Sequence, residues 1–129
     1  MVELSTGIVD QVAAPSPAAV ESAIDIAHLA RMTLGDASLE REVLQLYDRQ
    51  AHMLLARMQQ VTPTAVAAYA HTLKGSSSGI GAFKVARAAQ AVEFAATRNT
   101  EADVVAAISH LNTAISEARA RIAELLRAH

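Results

Sequence analysis

The segment His71-Thr72-Leu73-Lys74-Gly75 puts an imidazole, an ammonium group and a residue without a side chain within little more than one helical turn. An imidazole is a nucleophile at neutral pH and a lysine one turn away can offset negative charge beside it. At about 100° per residue, with His71 at zero, Tyr69, Leu73 and Ile80 fall about 160 to 200° away and Val66 lies near them, forming the expected core face. His71 therefore points away from the core. Ala67, Lys74, Gly75 and Ser78 share its side, within about 60°, and three of these four are small, so the ring stands above a flattened surface. Glycine inside a helix costs about 1 kcal/mol relative to alanine. No cap is needed at Gly75, and close approach of a partner backbone or a bulky anion is a physical reason to omit a side chain there.

The elements that must hold this segment follow from the apolar periodicity. Ile24, Ala27, His28 and Arg31 outline a short helix stopped by Gly35. Asp36 is a helix cap for a second, long helix carrying Leu39, Val43, Leu46, Tyr47, Met53, Leu54, Ala56 and Met58 to about Val61. Thr62 with Pro63 opens a third, which Gly79 and Gly81 close. A fourth runs from Ala82 or Phe83 through Val85, Ala89, Val92 and Ala96 to a break at Asn99. Thr100 with Asp103 forms a capping box for the last, whose stripe is Val104, Ala107, Ile108, Leu111, Ile115, Ile122 and Leu125. Four substantial helices with short loops predict an all-α, up-and-down antiparallel four-helix bundle with a short extra N-terminal helix. Residues 1–20 mix Gly7, Pro15, Ser16 and Pro17 with apolar residues at no sustained period and read as a flexible N-terminal arm, leaving 21–129 as the domain.

The same geometry picks out Glu93. Ten residues of helix from His71 to Gly81 and eleven back from Ala82 to Glu93 give about 15 and 16 Å, so the two side chains sit level on neighbouring antiparallel helices about 8 to 10 Å apart. A glutamate there reaches the ring directly or through one water, holding Nδ1–H and leaving Nε2 as the nucleophile. Helical phase puts Glu93 on the shoulder of its stripe, where a merely solvated carboxylate is the alternative.

The run HTLKG followed by SSSGIGA resembles the signature of histidine-containing phosphotransfer (HPt) domains of bacterial two-component phosphorelays. In that family a His is followed by Leu two residues on, Lys three on, Gly four on and a Gly-Ala pair ten on, matched by His71, Leu73, Lys74, Gly75, Gly81 and Ala82. Members also carry Glu or Gln twenty-two residues after the His, the position of Glu93. The likeness covers about residues 24 to 127; Phe83, Val85 and Ala86 after the Gly-Ala pair, and the richness in alanine, depart from it. The resemblance implies that His71 accepts a phosphoryl group from a receiver-domain aspartyl phosphate and returns it to another receiver. Read from the residues themselves, Lys74 can offset charge on the phosphoryl oxygens or be an ordinary surface lysine, and Ser78, one turn on, can donate a hydrogen bond or be a small polar surface residue. Its implied partners are receiver domains of response regulators and a hybrid histidine kinase. It also leaves room for two variants: a bundle that docks on a receiver or kinase without carrying phosphate, and direct phosphorylation of His71 in trans by a chemotaxis-type kinase.

Other chemistries fit less well. GSSSG at Gly75–Gly79 matches GxSxG with Ser77 as nucleophile, and Asp103 and His110 follow in hydrolase order, but a nucleophile elbow needs a preceding strand and this segment has a helical stripe. Gly79-Ile80-Gly81 lacks both the strand and the third glycine of a dinucleotide loop, since Lys84 stands there. Asp25 with His28 and Asp48 with His52 have one-face spacing for a metal but lack the Glu-x-x-His pairs of di-metal bundles. His110 and His129 have no partner pattern. No carboxylate cluster suits Mg²⁺ and no GxxxxGK[ST] loop is present, so neither ATP-dependent self-phosphorylation nor a cofactor is expected; the resemblance implies that Mg²⁺ is brought by the partner receiver.

Composition agrees. The 129 residues suit a single core, and 29 alanines with 3% aromatics favour closely packed helices. A net charge of −2 without a basic cluster argues against nucleic acid. Cysteine is absent from the sequence, which removes disulfides and thiolate chemistry. No apolar run approaches the roughly 20 residues of a membrane span, so a monomeric cytoplasmic protein is expected.

Overall fold

The computed structural model describes residues 21–98 and 100–128 and contains five helices among them. These are α1 (Ile26–Met32), α2 (Ala37–Met58), α3 (Pro63–Ile80), α4 (Phe83–Arg98) and α5 (Glu101–Ala128). The four long helices pack in sequence order and α2 closes the ring against α5, giving the up-and-down four-helix bundle, with α1 laid on α3. The arm expected over 1–20, the break at Asn99 and His129 lie outside the described residues.

Local chemistry sets the helix boundaries. Asp36 Oδ1 accepts from Leu39 N at 3.0 Å, capping α2, and Asp25 Oδ1 accepts from His28 N at 3.0 Å, capping α1. Thr62 has the extended backbone of a cap without a side-chain bond, and Pro63 follows at the first helical position. Asp103 N donates to Thr100 Oγ1 at 3.3 Å while Thr100 N donates to Asp103 Oδ2 at 3.4 Å, a reciprocal box opening α5.

The α3–α4 turn is the tightest constraint in the fold. Gly81, at φ +89°, ends α3 in the left-handed conformation; Ala82 N donates to Ser77 O at 2.8 Å and Gly81 N to Ser78 O at 3.3 Å, the two bonds of a Schellman motif. A Cβ on Gly81 would lie 2.9 Å from Asp25 O, because α1 is fastened to this turn. Asp25 N donates to Gly81 O at 2.9 Å, His28 Nε2 donates to Gly79 O at 3.0 Å, and the His28 ring meets Phe83 edge-on at 5.1 Å.

Several expected faces shift in the structure. The buried residues of α2 are Leu44, Tyr47, Ala51, Leu54, Leu55 and Met58, while Leu39, Leu46 and Met53 are exposed. Their seven-residue spacing sets them along one exposed face of α2, and Arg57 of the same helix lies over the Tyr69 ring of α3 at 6.0 Å. In α3 the core stripe is Val66, Ala70, Leu73, Ser77 and Ile80, and Tyr69 is only half-buried. In the first helix Ile24 precedes the cap and is fully buried with Leu29, whereas Ala27 and Arg31 are exposed.

A buried side-chain hydrogen bond joins two of the long helices: Tyr47 Oη and Ser77 Oγ are 2.6 Å apart, linking α2 to α3. Burial pushes the Tyr47 phenol up from 10.0 to about 12, against the opposing pull of its Ser77 hydrogen bond. The native state thus holds this proton more tightly than the unfolded chain, an advantage intact below pH 10 and lost as pH rises through 12. Urea denaturation should show wild type losing about 2 to 3 kcal/mol between those limits beyond any loss in Tyr47→Phe. A constant difference between the two proteins across that range would contradict the assignment.

Candidate functional site

The α3 core stripe leaves His71 on the outer surface, its side chain 66% exposed. The Gly81 turn returns the chain antiparallel, and the inward stripe of α4, Val85, Ala89 and Val92, places the adjacent Glu93 on the shoulder facing α3. Glu93 Oε2 lies 3.0 Å from His71 Nδ1, and Glu93 Oε1 lies 3.5 Å from Lys74 Nζ. One carboxylate therefore spans the imidazole and the ammonium, an oxygen to each.

This geometry assigns the ring tautomer. A carboxylate can only accept, so Nδ1 carries the hydrogen, and in the neutral ring Nε2 keeps its lone pair. Among the described residues Nε2 has no protein partner. Exposed ion pairs of this type contribute about 0 to 1 kcal/mol to stability, so the arrangement orients the ring much more than it holds the bundle together. Burial is partial for both carboxylate and lysine, at 29% and 32% exposed.

Around the ring the surface is low. Gly75 and Ala68 are exposed, as is Thr72, whose hydroxyl folds back onto Ala68 O at 3.2 Å. A Cβ at Gly75 would meet nothing within 4 Å, so packing inside the protein does not call for glycine there. Ser78 lies one turn beyond Lys74 and makes no side-chain hydrogen bond among the described residues; with Lys74 it lines a groove of about 270 Å³ that continues along α3 and α4 past Phe83, Ala86, Arg87 and Gln90 to Glu21. The two cations near the turn diverge, Lys84 pairing with Glu117 at 2.9 Å and Arg87 with Glu21.

The competing constellations do not assemble. Ser77 is fully buried against Tyr47, Asp103 caps α5, and His110 is exposed on α5, so the hydrolase order brings no triad together. Asp25 caps α1 and His28 bonds Gly79 O. Asp48 pairs with Arg119 at 2.8 Å, and Arg119 Nη1 lies 3.2 Å from His52 Nδ1. Among the described residues no group of three or more His, Asp or Glu could hold a metal ion. Sequence reasoning missed Tyr47 as the polar partner of the site helix, and it missed Glu21 and Gln90 as lining residues of the groove; the tertiary fold alone brings them there.

Replacing Glu93 by alanine should free the ring to populate both neutral tautomers, read from the His71 nitrogen chemical shifts across a pH titration. Identical Nδ1 and Nε2 signals in wild type and Glu93→Ala would contradict the orienting contact.

The comparisons with known proteins bear on this geometry. The model of the Hpt domain family matches residues 36–121, which take in α2, α3, α4 and most of α5. The crystal structure of a rice protein assigned as a histidine-containing phosphotransfer protein superposes with a TM-score of 0.73 over 81% of this chain and 80% of that one, at 19% identity, a likeness of fold. No curated protein gives a significant match. Among the described residues no helix is long and apolar enough to cross a membrane. The family match extends over two-thirds of the sequence and encloses His71, Lys74, Gly75 and Glu93 together, and the chain belongs to the Hpt domain family, whose general role is histidine phosphotransfer.

Proposed function

We propose that the protein is a phosphorelay carrier, accepting a phosphoryl group on His71 Nε2 from a receiver-domain aspartyl phosphate and passing it to the aspartate of another receiver. The observation that carries this reading is the 3.0 Å contact from Glu93 Oε2 to His71 Nδ1, which leaves Nε2 as the available nucleophile on an exposed ring.

In the forward step the Nε2 lone pair attacks phosphorus in line with the bond to the aspartyl oxygen; the N–P bond forms as the P–O bond breaks, and the aspartate leaves with the electron pair. The ring becomes a phosphoimidazolium that retains its Nδ1 hydrogen, and Glu93 stabilises the positive charge it acquires. Transfer onward reverses these bonds. Lys74, shared with Glu93, is placed to offset charge on the phosphoryl oxygens as a point cation, and Ser78 is a more distant donor one turn on. Phosphoryl transfer asks mainly for alignment and charge stabilisation, so the carrier needs no nucleotide loop of its own, and Mg²⁺ is supplied by the receiver.

The shape of the surface supports a protein partner. Gly75, Ala68 and Thr72 keep the helix around His71 low. The Tyr47–Ser77 bond and the Arg57–Tyr69 contact fix how α2 lies against α3, and in that antiparallel register the exposed Leu46 and Met53 stand level with Gly79 and Thr72. An apolar strip beside a small-residue patch suits a docking protein domain better than a small ligand.

Incubation with phosphorylated receivers should place acid-labile, alkali-stable label on wild type and none on His71→Gln. Gly75→Gln should slow the transfer about tenfold or more by obstructing approach, with helix content unchanged by circular dichroism. Unlabelled wild type with every receiver tried would refute the carrier role, and equal rates for the Gly75 variant would refute the steric one.

A further inference from the structure

The groove beside the proposed transfer site holds more polar groups than the transfer step uses. Antiparallel register from the His71–Glu93 pair sets Gln90 across from Lys74 and Ala86 across from Ser78. Along one channel between α3 and α4, starting a turn from the imidazole, stand the Lys74 ammonium, the Gln90 amide, the Ser78 hydroxyl and the Arg87 guanidinium. Ser78 and Ala86 keep it open, to about 270 Å³, ample for a side chain and a few waters.

A carboxylate already sits at its far end. Glu21, five residues before α1, reaches across to Arg87 and lines the groove with it. Both side chains are well exposed, Arg87 at 60% and Glu21 at 42%. A pair so exposed adds little to folding, so the contact is readily exchanged for another carboxylate brought by a docking protein. The exchange keeps one ion pair in place of another and returns the displaced, already exposed Glu21 carboxylate to water.

We propose that this groove is an anion subsite that reads an acidic side chain on the docked receiver, with Arg87 as its specificity-determining cation and Glu21 as the internal occupant that the receiver's carboxylate displaces. The inference rests on the relay reading above and adds to it a selection step distant from the phosphoryl group. Arg87 acts on docking, because it stands six residues along α4 from Glu93, about one and two-thirds turns or about 9 Å from the level of His71 and past Lys74. A receiver without a carboxylate at the matching place would have to leave Glu21 where it is and would gain nothing from Arg87.

Steady-state transfer from a phosphorylated receiver, measured with the full chain, tests this. Arg87→Ala should raise KM on the order of three- to tenfold with kcat unchanged, and the gap from wild type should close as salt is raised. Glu21→Gln should lower KM by unmasking Arg87, and the double variant should behave as Arg87→Ala alone. Equal KM values for wild type and Arg87→Ala, or a KM raised by Glu21→Gln as much as by Arg87→Ala, would overturn the proposal and leave the pair as a tether for α1. Competition by millimolar inorganic phosphate that Arg87→Ala abolishes would also overturn it, by identifying a site for small anions. Wild type that takes no label from any receiver removes the relay reading and this subsite together, whereas labelled wild type with an unaltered Arg87→Ala removes the subsite only.

Discussion

The contact between Glu93 and His71 joins two helices that touch in this register only because of the turn between them. A left-handed Gly81 lets α3 stop and α4 start within two residues, and its carbonyl and neighbouring surface are held by Asp25 and His28 from α1. Shift α4 by one residue and its side chains rotate by about 100°, taking the carboxylate away from the ring. The orientation of one imidazole is thus fixed at a turn ten residues from it. The buried Tyr47–Ser77 bond adds a second restraint, since it fixes the rotation of α3 from the opposite side.

Stability and function draw on different parts of the same helices. The inner stripes of α3 and α4 carry Ala70, Ala86, Ala88, Ala89 and Ala95, small enough to bring the two helices close while Leu73, Val85 and Val92 fill the interior. On the outer side of α3 small residues serve another purpose, keeping the ground low around a ring that must be reached. Charges at the site are half in water, where they contribute little to folding and remain free to rearrange when a partner arrives. The bundle supplies rigidity from its core and leaves the working face nearly independent of it.

Much of this was legible in the sequence because helix caps and turns are local. Asp36, Thr62-Pro63, Gly81 and the Thr100–Asp103 box fix four boundaries from short-range chemistry alone. The level placement of His71 and Glu93 followed from counting residues through a tight turn. Rotational phase was harder. Ala51, Ala70 and Ser77 are core positions that a hydrophobic pattern hardly registers, and Leu46 and Met53 look like core residues though they are exposed. Asp25 and His28 have the spacing of metal ligands; only the fold shows that they cap one helix and clasp the end of another. The Glu21–Arg87 contact spans sixty-six positions, and nothing local announces it.

The central claim is that Glu93 holds Nδ1, so chemistry takes place at Nε2. Phosphorus and nitrogen NMR of the phosphorylated protein distinguishes the two phosphohistidine isomers directly. A single isomer with the phosphoryl group on Nε2 of His71 is the expected result. Phosphate found on Nδ1 would contradict the account, because that nitrogen could not be phosphorylated while bonded to the Glu93 carboxylate.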